Sequence, residues 1–159
     1  MLNTRRGAFT LLEVVFVIVI LGILAAIAAP RFAATRDDAE ITKGRSDIAT
    51  IRSAIVSDRQ AHLIKGDSAW IDGLSSSSTT LFDSNGSSDR KLLLYPITSD
   101  STKSGHWSTT DTHAPYKNYK YKVGQTSVSF TYDSSTGKFS CSTTSGTDEE
   151  KELCKKLIN

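Results

Sequence analysis

A single carboxylate sits in a run of side chains that would dissolve in lipid. Glu13 is the only charged residue between Phe9 and Ala29, and every residue from 14 to 29 is apolar or glycine. Such a group costs about 2.5–3.5 kcal/mol at the centre of a bilayer and less near its edge, so it is either snorkelling to headgroups or waiting for a cation. The two cysteines, Cys141 and Cys154, lie near the C-terminus. An even count in a region that reads as exported favours a disulfide between them, ahead of a free thiol pair and of a metal. Zinc would need a second close ligand pair, and His62, His106 and His113 are scattered. Asp100, Asp111 and Asp133 offer oxygen donors without the dense spacing of a calcium loop. We therefore name no metal ligand and expect no cofactor.

The elements that would position these groups fall into four segments. Residues 1–8 are a short basic start, and Arg5 and Arg6 ahead of the apolar run predict that this end stays cytoplasmic. Residues 9–30 form the apolar run, whose first 20 or so residues make about 30 Å of helix, enough to cross a bilayer core. An ordinary secretory signal would have a shorter apolar core ending at a small-residue cleavage site. The alanines at 25–29 imitate one, but Pro30 follows directly and the helical pattern resumes beyond it. In residues 31–65, Ile41, Ile48, Ile51 and Ile55 recur at seven, three and four, which makes one apolar stripe on a helix with charged flanks. The reading is one long helix from Phe9 to about Leu63, bent or loosened near Pro30, Gly22 or Gly44.

Residues 66–159 read as a head domain. Gly66 ends the helix, and residues 67–90 are Ser- and Gly-rich, a loop draped over the domain. Strands are predicted at 91–97, 116–123, 127–132 and 138–142. In the third of these, Val128, Phe130 and Tyr132 share one face. The composition of 133–137 is that of a hairpin turn. Thr147 and Glu150 have the spacing of a capping box that opens a short C-terminal helix carrying Leu153 and Leu157. The fold class is α+β, a long N-terminal helix packed on a small antiparallel sheet.

Over residues 9–30 the sequence strongly resembles the type IV prepilin family, which includes type II secretion pseudopilins and competence pilins. The features that carry the likeness are the basic leader, Phe9-Thr-Leu-Leu-Glu13, the apolar run, Gly22-Ile-Leu-Ala-Ala and Pro30, about a fifth of the chain. The resemblance implies a type IV pilin-like fold and a structural subunit of a filament. A membrane prepilin peptidase would remove residues 1–8, and Phe9 would usually be N-methylated. The family commonly has Gly directly before the Phe, whereas here Ala8 stands between Gly7 and Phe9. A cut after Ala8 makes Glu13 the fifth residue of the processed chain, and a cut after Gly7 makes it the sixth. With the first register, the new amine of Phe9 and the carboxylate of Glu13 lie four residues apart on one helical face. A staggered neighbour could then bring its ammonium to this carboxylate in a low-dielectric core.

The implied partners are identical or related pilin subunits, the prepilin peptidase and an inner-membrane assembly platform. The implied location is the bacterial inner membrane with the head in the periplasm, then a filament in the periplasm or at the cell surface. The same resemblance covers a fimbrial pilus, a type II secretion pseudopilus and a DNA-uptake filament; a single-span anchored binding domain is the distant alternative. Without Arg5 and Arg6 the chain's 19 Lys and Arg fall to 17, equal to its 17 Asp and Glu, so charge gives no case for nucleic acid. Tyr116 to Lys122 mixes aromatic and basic residues as a base-stacking surface would. Strand alternation, however, puts Tyr119, Tyr121 and Val123 on one face and Lys120 and Lys122 on the other. No local motif supplies a nucleophile, base and orienting group, so the expectation is a building block and not an enzyme.

Overall fold

The computed structural model describes residues 9–84, 86 and 90–159, of which 29–34 are described as helical backbone only. The basic leader with Gly7 and Ala8 lies outside the described residues. The chain divides into two units, one ending at Arg36 and one running from Asp37 to Asn159. A first helix, α1 (Leu11–Ile64), contributes to both.

Helix α1 begins two residues later than the sequence predicts because Thr10 caps it. The Glu13 N–H donates to Thr10 Oγ1 at 3.3 Å and to the Thr10 carbonyl at 3.1 Å. The backbone stays α-helical through Gly22, Pro30 and Gly44. Pro30 has no N–H to give the ladder, yet the helix continues on either side of it. At the far end Asp67 N–H donates to His62 O and Gly66 N–H to Leu63 O, both at 3.0 Å, with Gly66 at φ 85°. These are the two nested bonds of a Schellman closure, which needs a left-handed residue at the Gly66 position.

In the second unit the isoleucine stripe does what its spacing implies. Ile48, Ile51 and Ile55 are buried and Ile41 is packed at the margin of the same core. The strands are β1 (Thr80–Leu81), β2 (Ile97–Thr98), β3 (Trp107–Thr109), β4 (Asn118–Val123), β5 (Thr126–Asp133) and β6 (Lys138–Cys141). β1 and β2 form a two-stranded antiparallel ribbon, and β3-β4-β5-β6 form a four-stranded antiparallel sheet in that order. Tyr119 faces Phe130, Tyr121 faces Val128 and Trp107 faces Tyr121 across the ladder. Their inward faces, with Tyr132, Phe139 and Phe82, build an aromatic core closed by α1.

The predicted strand at 91–97 is a correction. Lys91 makes an isolated bridge to Ser84, Leu92 and Leu93 donate to the carbonyls of Asp83 and Phe82, and only Ile97 and Thr98 reach strand pairing. Pro96 has no N–H to give a ladder, so the run bends at 94–96. β1 and β3 are too short and too Ser/Thr-flanked to show a period in sequence.

The last helix, α2 (Asp148–Ile158), starts with the predicted capping box between Thr147 and Glu150. It buries Leu153, Cys154 and Leu157, and Arg45 of α1 donates from Nε to Lys156 O at 2.5 Å. Cys141 at the end of β6 and Cys154 are disulfide-bonded with Cα atoms 6.0 Å apart. Closing a loop of this size stabilises a fold by about 3 kcal/mol in the chain-entropy model.

Gly44 marks a close approach of α1 to the sheet and to α2. A Cβ there would lie 2.5 Å from Tyr121 Cε1 and 2.7 Å from Leu157 Cδ2. Tyr121 cannot swing aside without breaking its hydroxyl bond to Glu40 O at 2.7 Å. Gly44→Ala should therefore lower head stability by about 1–3 kcal/mol, despite alanine's better helix propensity. Thermal unfolding of the full chain in detergent, followed by near-UV circular dichroism, measures it; an unchanged or raised midpoint would contradict this packing.

Candidate assembly site

The first unit presents an apolar surface all the way round. Residues Leu11–Ala28 average a hydropathy of 3.0 with none of the window buried, long and apolar enough to cross a membrane. Exposure of the large side chains runs from 40% at Ile20 to 84% at Leu11, so no face is reserved for this chain's own core. Leaving one such side chain in water instead of burying it costs about 1.5–3 kcal/mol, so this surface favours an apolar environment.

Glu13 breaks that surface. It stands in the first turn of α1, exposed, beside a shallow recess lined by Thr10, Leu12, Val15, Phe16 and Val19. Its backbone N–H is satisfied by Thr10, and the unpaired N–H groups of the first turn place positive dipole near its carboxylate. The arrangement can accept a cation arriving from outside the chain. Phe9 is exposed and precedes the first helical residue, so the one-face placement with Glu13 holds only if the helix extends back to it. The sequence reading missed Thr10 as the cap, although its spacing to Glu13 is that of Thr147 to Glu150.

In the head, four side-chain bonds fasten α1 across the sheet. Tyr121 donates to Glu40 O at 2.7 Å, Lys43 Nζ to Gly105 O at 2.6 Å, Trp107 Nε1 to Asp47 Oδ2 at 3.0 Å and Arg52 Nε to Phe139 O at 3.0 Å. At the end of α1, Arg90 reaches Asp67 at 2.8 Å and Asp58 at 3.7 Å, and His62 lies 3.8 Å from each of these two carboxylates. His106 bonds its own loop at Ser104 O and His113 contacts Thr112, so the structure does not bring the three histidines together.

The three aspartates considered for calcium each organise a turn. Asp111 accepts from the N–H groups of Lys117 at 2.6 Å and Asn118 at 2.8 Å and from Asn118 Nδ2 at 2.9 Å. Asp100 accepts from Thr102 and Lys103, and Asp133 from Ser135 and Thr136. Among the described residues no group of three or more His, Cys, Asp or Glu side chains is placed to hold a metal. Tyr119 and Tyr121 are buried to 1% and 0% exposure, so their rings are closed to base stacking. Burial pushes both hydroxyls well above the usual tyrosine range.

Comparison with known proteins fits the N-terminal features. The family model described as the prokaryotic N-terminal methylation motif matches residues 3–29. Type II secretion system core protein G of Pseudomonas aeruginosa is 40% identical over 55 residues, 35% of this chain and 39% of that protein. The protein of the same name from Aeromonas hydrophila is 44% identical over 55 residues, 35% of this chain and 38% of that protein. That from Pectobacterium carotovorum subsp. carotovorum is 43% identical over 51 residues, 32% of this chain and 33% of that protein. The chain thus spans about two fifths or less of the length of these curated relatives. No solved structure matches it.

The turn aspartates make the head acid-sensitive. Hydrogen bonds from Ser135 and Thr136 hold Asp133 at about 2, and those from Thr102 and Lys103 hold Asp100 well below the usual range. At Asp111 burial pushes upward, but the donors from Asn118 and Lys117 prevail and the net shift is down. Lowered carboxylates stabilise the fold fully above their unfolded value near 3.9 and lose that contribution as pH falls through the folded values. Asp47 acts oppositely, since burial raises it. Stability should fall between about pH 4 and pH 2, modestly because these groups are solvent-screened. Asp111→Asn should flatten the dependence while destabilising the head at pH 7. Denaturant midpoints at pH 5, 4, 3 and 2 check this; a flat series would contradict it.

Proposed function

We propose that this chain, whose methylation motif and secretion-protein relatives support a prepilin or pseudopilin reading, is a pseudopilin subunit of a type II secretion filament. The observation that carries the reading is Glu13 in the first turn of the exposed apolar span Leu11–Ala28, four residues after Phe9 and within the matched motif. The matched relatives favour the secretion member of the family over the fimbrial and DNA-uptake members. In this reading the chain catalyses nothing and acts by assembling.

The proposed sequence of events follows from the charges. The basic leader stays in the cytoplasm, α1 crosses the inner membrane and the head folds in the periplasm, where its disulfide can persist. Prepilin peptidase cuts before Phe9 and the new amine is methylated. Extraction of the subunit into a filament moves Glu13 from lipid to a bundle of apolar helices. There its carboxylate meets the terminal ammonium of a neighbour's Phe9. In a low-dielectric bundle, removing one partner of such a pair leaves a buried charge and costs about 3–5 kcal/mol.

Two measurements test the reading on the same cells. Intact mass and N-terminal sequencing should give an N-methylated chain starting at Phe9; a start near Arg31 would mean ordinary signal-peptide cleavage and defeat the proposal. Glu13→Ala should insert and be cleaved as well as the native chain, since it removes a membrane penalty. It should nevertheless enter sheared or cross-linked filaments at a small fraction of the native level. Assembly at the native level would show that pairing at Glu13 does not set subunit register.

A further inference from the structure

Beyond the end of α1, where Ile64 is exposed, Leu94 and Tyr95 form a protruding apolar pair that the core of the head leaves uncovered. Leu94 and Tyr95 are 85% and 84% exposed, although Leu92 and Leu93 just before them pack against the core. The bend that presents them is clamped on both sides. Leu92 and Leu93 donate to Asp83 O at 2.8 Å and Phe82 O at 3.0 Å, and Ile97 pairs with Leu81 in the β1–β2 ribbon. Pro96 further restricts the backbone between those anchors. Two large apolar side chains are thus held out on a short, preorganised knob, a form that loses little conformational entropy on being covered.

Beside the knob runs a groove of the right character to receive it. Small residues of α1 (Ser53, Ala54, Ser57 and Ala61) line it together with Leu92 and Leu93, and Asp58, His62, Lys65 and Lys91 add charged and polar groups to the lining. Ser53, Ser57 and Ala61 are exposed, so the groove is open in the isolated chain. Knob and groove adjoin on one head, so a second copy can dock reciprocally, which closes a pair, or head-to-tail, which continues from copy to copy; a filament requires the second.

The area decides what kind of partner fits. A Leu and a Tyr together cover roughly 300 Å², far below the roughly 800 Å² per partner of a stable interface. A free partner arriving from solution would find too little surface. A neighbour already tethered by its helix works at a high effective concentration, where a small contact suffices. From these observations we infer that Leu94 and Tyr95 of one copy seat in the Ser53–Ala61 groove of an adjacent copy of this chain, a lateral contact between heads that secures subunits first joined through α1. The inference rests on the filament reading above.

The test uses full-length chains co-expressed with their assembly machinery. One chain carries Ser57→Cys, the other Tyr95→Cys, and a short bifunctional maleimide is added; the native cysteines are disulfide-bonded and do not react. A cross-linked dimer should form only when both chains are present. It should disappear when Glu13→Ala blocks assembly, and it should be absent when Lys120→Cys replaces Ser57→Cys. The double variant Leu94→Ser with Tyr95→Ser should be cleaved and oxidised normally yet yield at least tenfold fewer filaments, with Tyr95→Phe at the native level. Filaments that form without this cross-link, or a double variant that assembles normally, would overturn the lateral contact and leave the filament reading intact. A cross-link to a different protein would overturn it equally. Native chains that never co-assemble would sink both readings.

Discussion

The head depends on how closely α1 can lie against its sheet. Gly44 lets the helix backbone approach Tyr121 and Leu157, and from that contact the helix runs on with Ile48, Ile51 and Ile55 turned inward. The four bonds from Glu40, Lys43, Asp47 and Arg52 then fall on successive turns of the helix and reach β3, β4, β6 and the loop before β3. A side chain at Gly44 would lift the helix from the aromatic layer and lengthen bonds on both sides of it. Packing and polar register are therefore one constraint. The disulfide secures β6 to α2, whose Leu157 completes the surface that Gly44 meets.

An aromatic core of this density raises the question of what its polar atoms do. Tyr119 donates to Tyr116 O and meets Ser75, Tyr132 donates to Ile71 O, and Tyr121 donates to Glu40 O. Each buried hydroxyl is matched to a main-chain carbonyl, which avoids the 1–3 kcal/mol of an unsatisfied group. Those carbonyls belong to the segment before β4, to the Ser-rich loop and to α1 respectively, so two of the three tyrosines tie down irregular backbone. This is why a segment with little apolar content, 67–79, can lie ordered over the sheet. Phe82 shows the same logic at a cost. Its backbone takes φ 59°, unusual for a bulky residue, and its ring is fully buried against Trp107, Tyr119 and Phe139.

What could be read from the sequence were the features governed by local periodicity. The isoleucines at 41, 48, 51 and 55, the alternation through 127–132 and the capping box at Thr147 each repeat on the scale of one element. The cysteine pairing followed from there being only two. What stayed hidden depends on distant partners. Nothing around Trp107 marks a three-residue strand until Tyr121 lies opposite it, and nothing in Leu92 to Tyr95 says that two leucines turn in while Leu94 and Tyr95 turn out. The helix start was missed for a different reason. Thr10 lies inside a run that is apolar on both sides, and only its bond to the Glu13 N–H marks it as the residue that opens the first turn.

That bond bears on why the carboxylate sits where it does. A charged side chain is cheapest near the membrane edge, and an acid is most stable in a helix's first turn, where free N–H groups point at it. Position 13 meets both conditions once Thr10 sets the start of α1. One turn further in, the acid would lose the helix terminus and move toward the hydrocarbon centre; one turn earlier, it would leave the helix. In the proposed function the helix end therefore gives this carboxylate partial compensation while the chain waits in lipid. Full compensation requires a whole positive charge, which no side chain from Leu11 to Ile27 carries and which, in the proposed filament, a neighbour's ammonium supplies. A group that is tolerable alone and satisfied only in company favours assembly without making the monomer unstable.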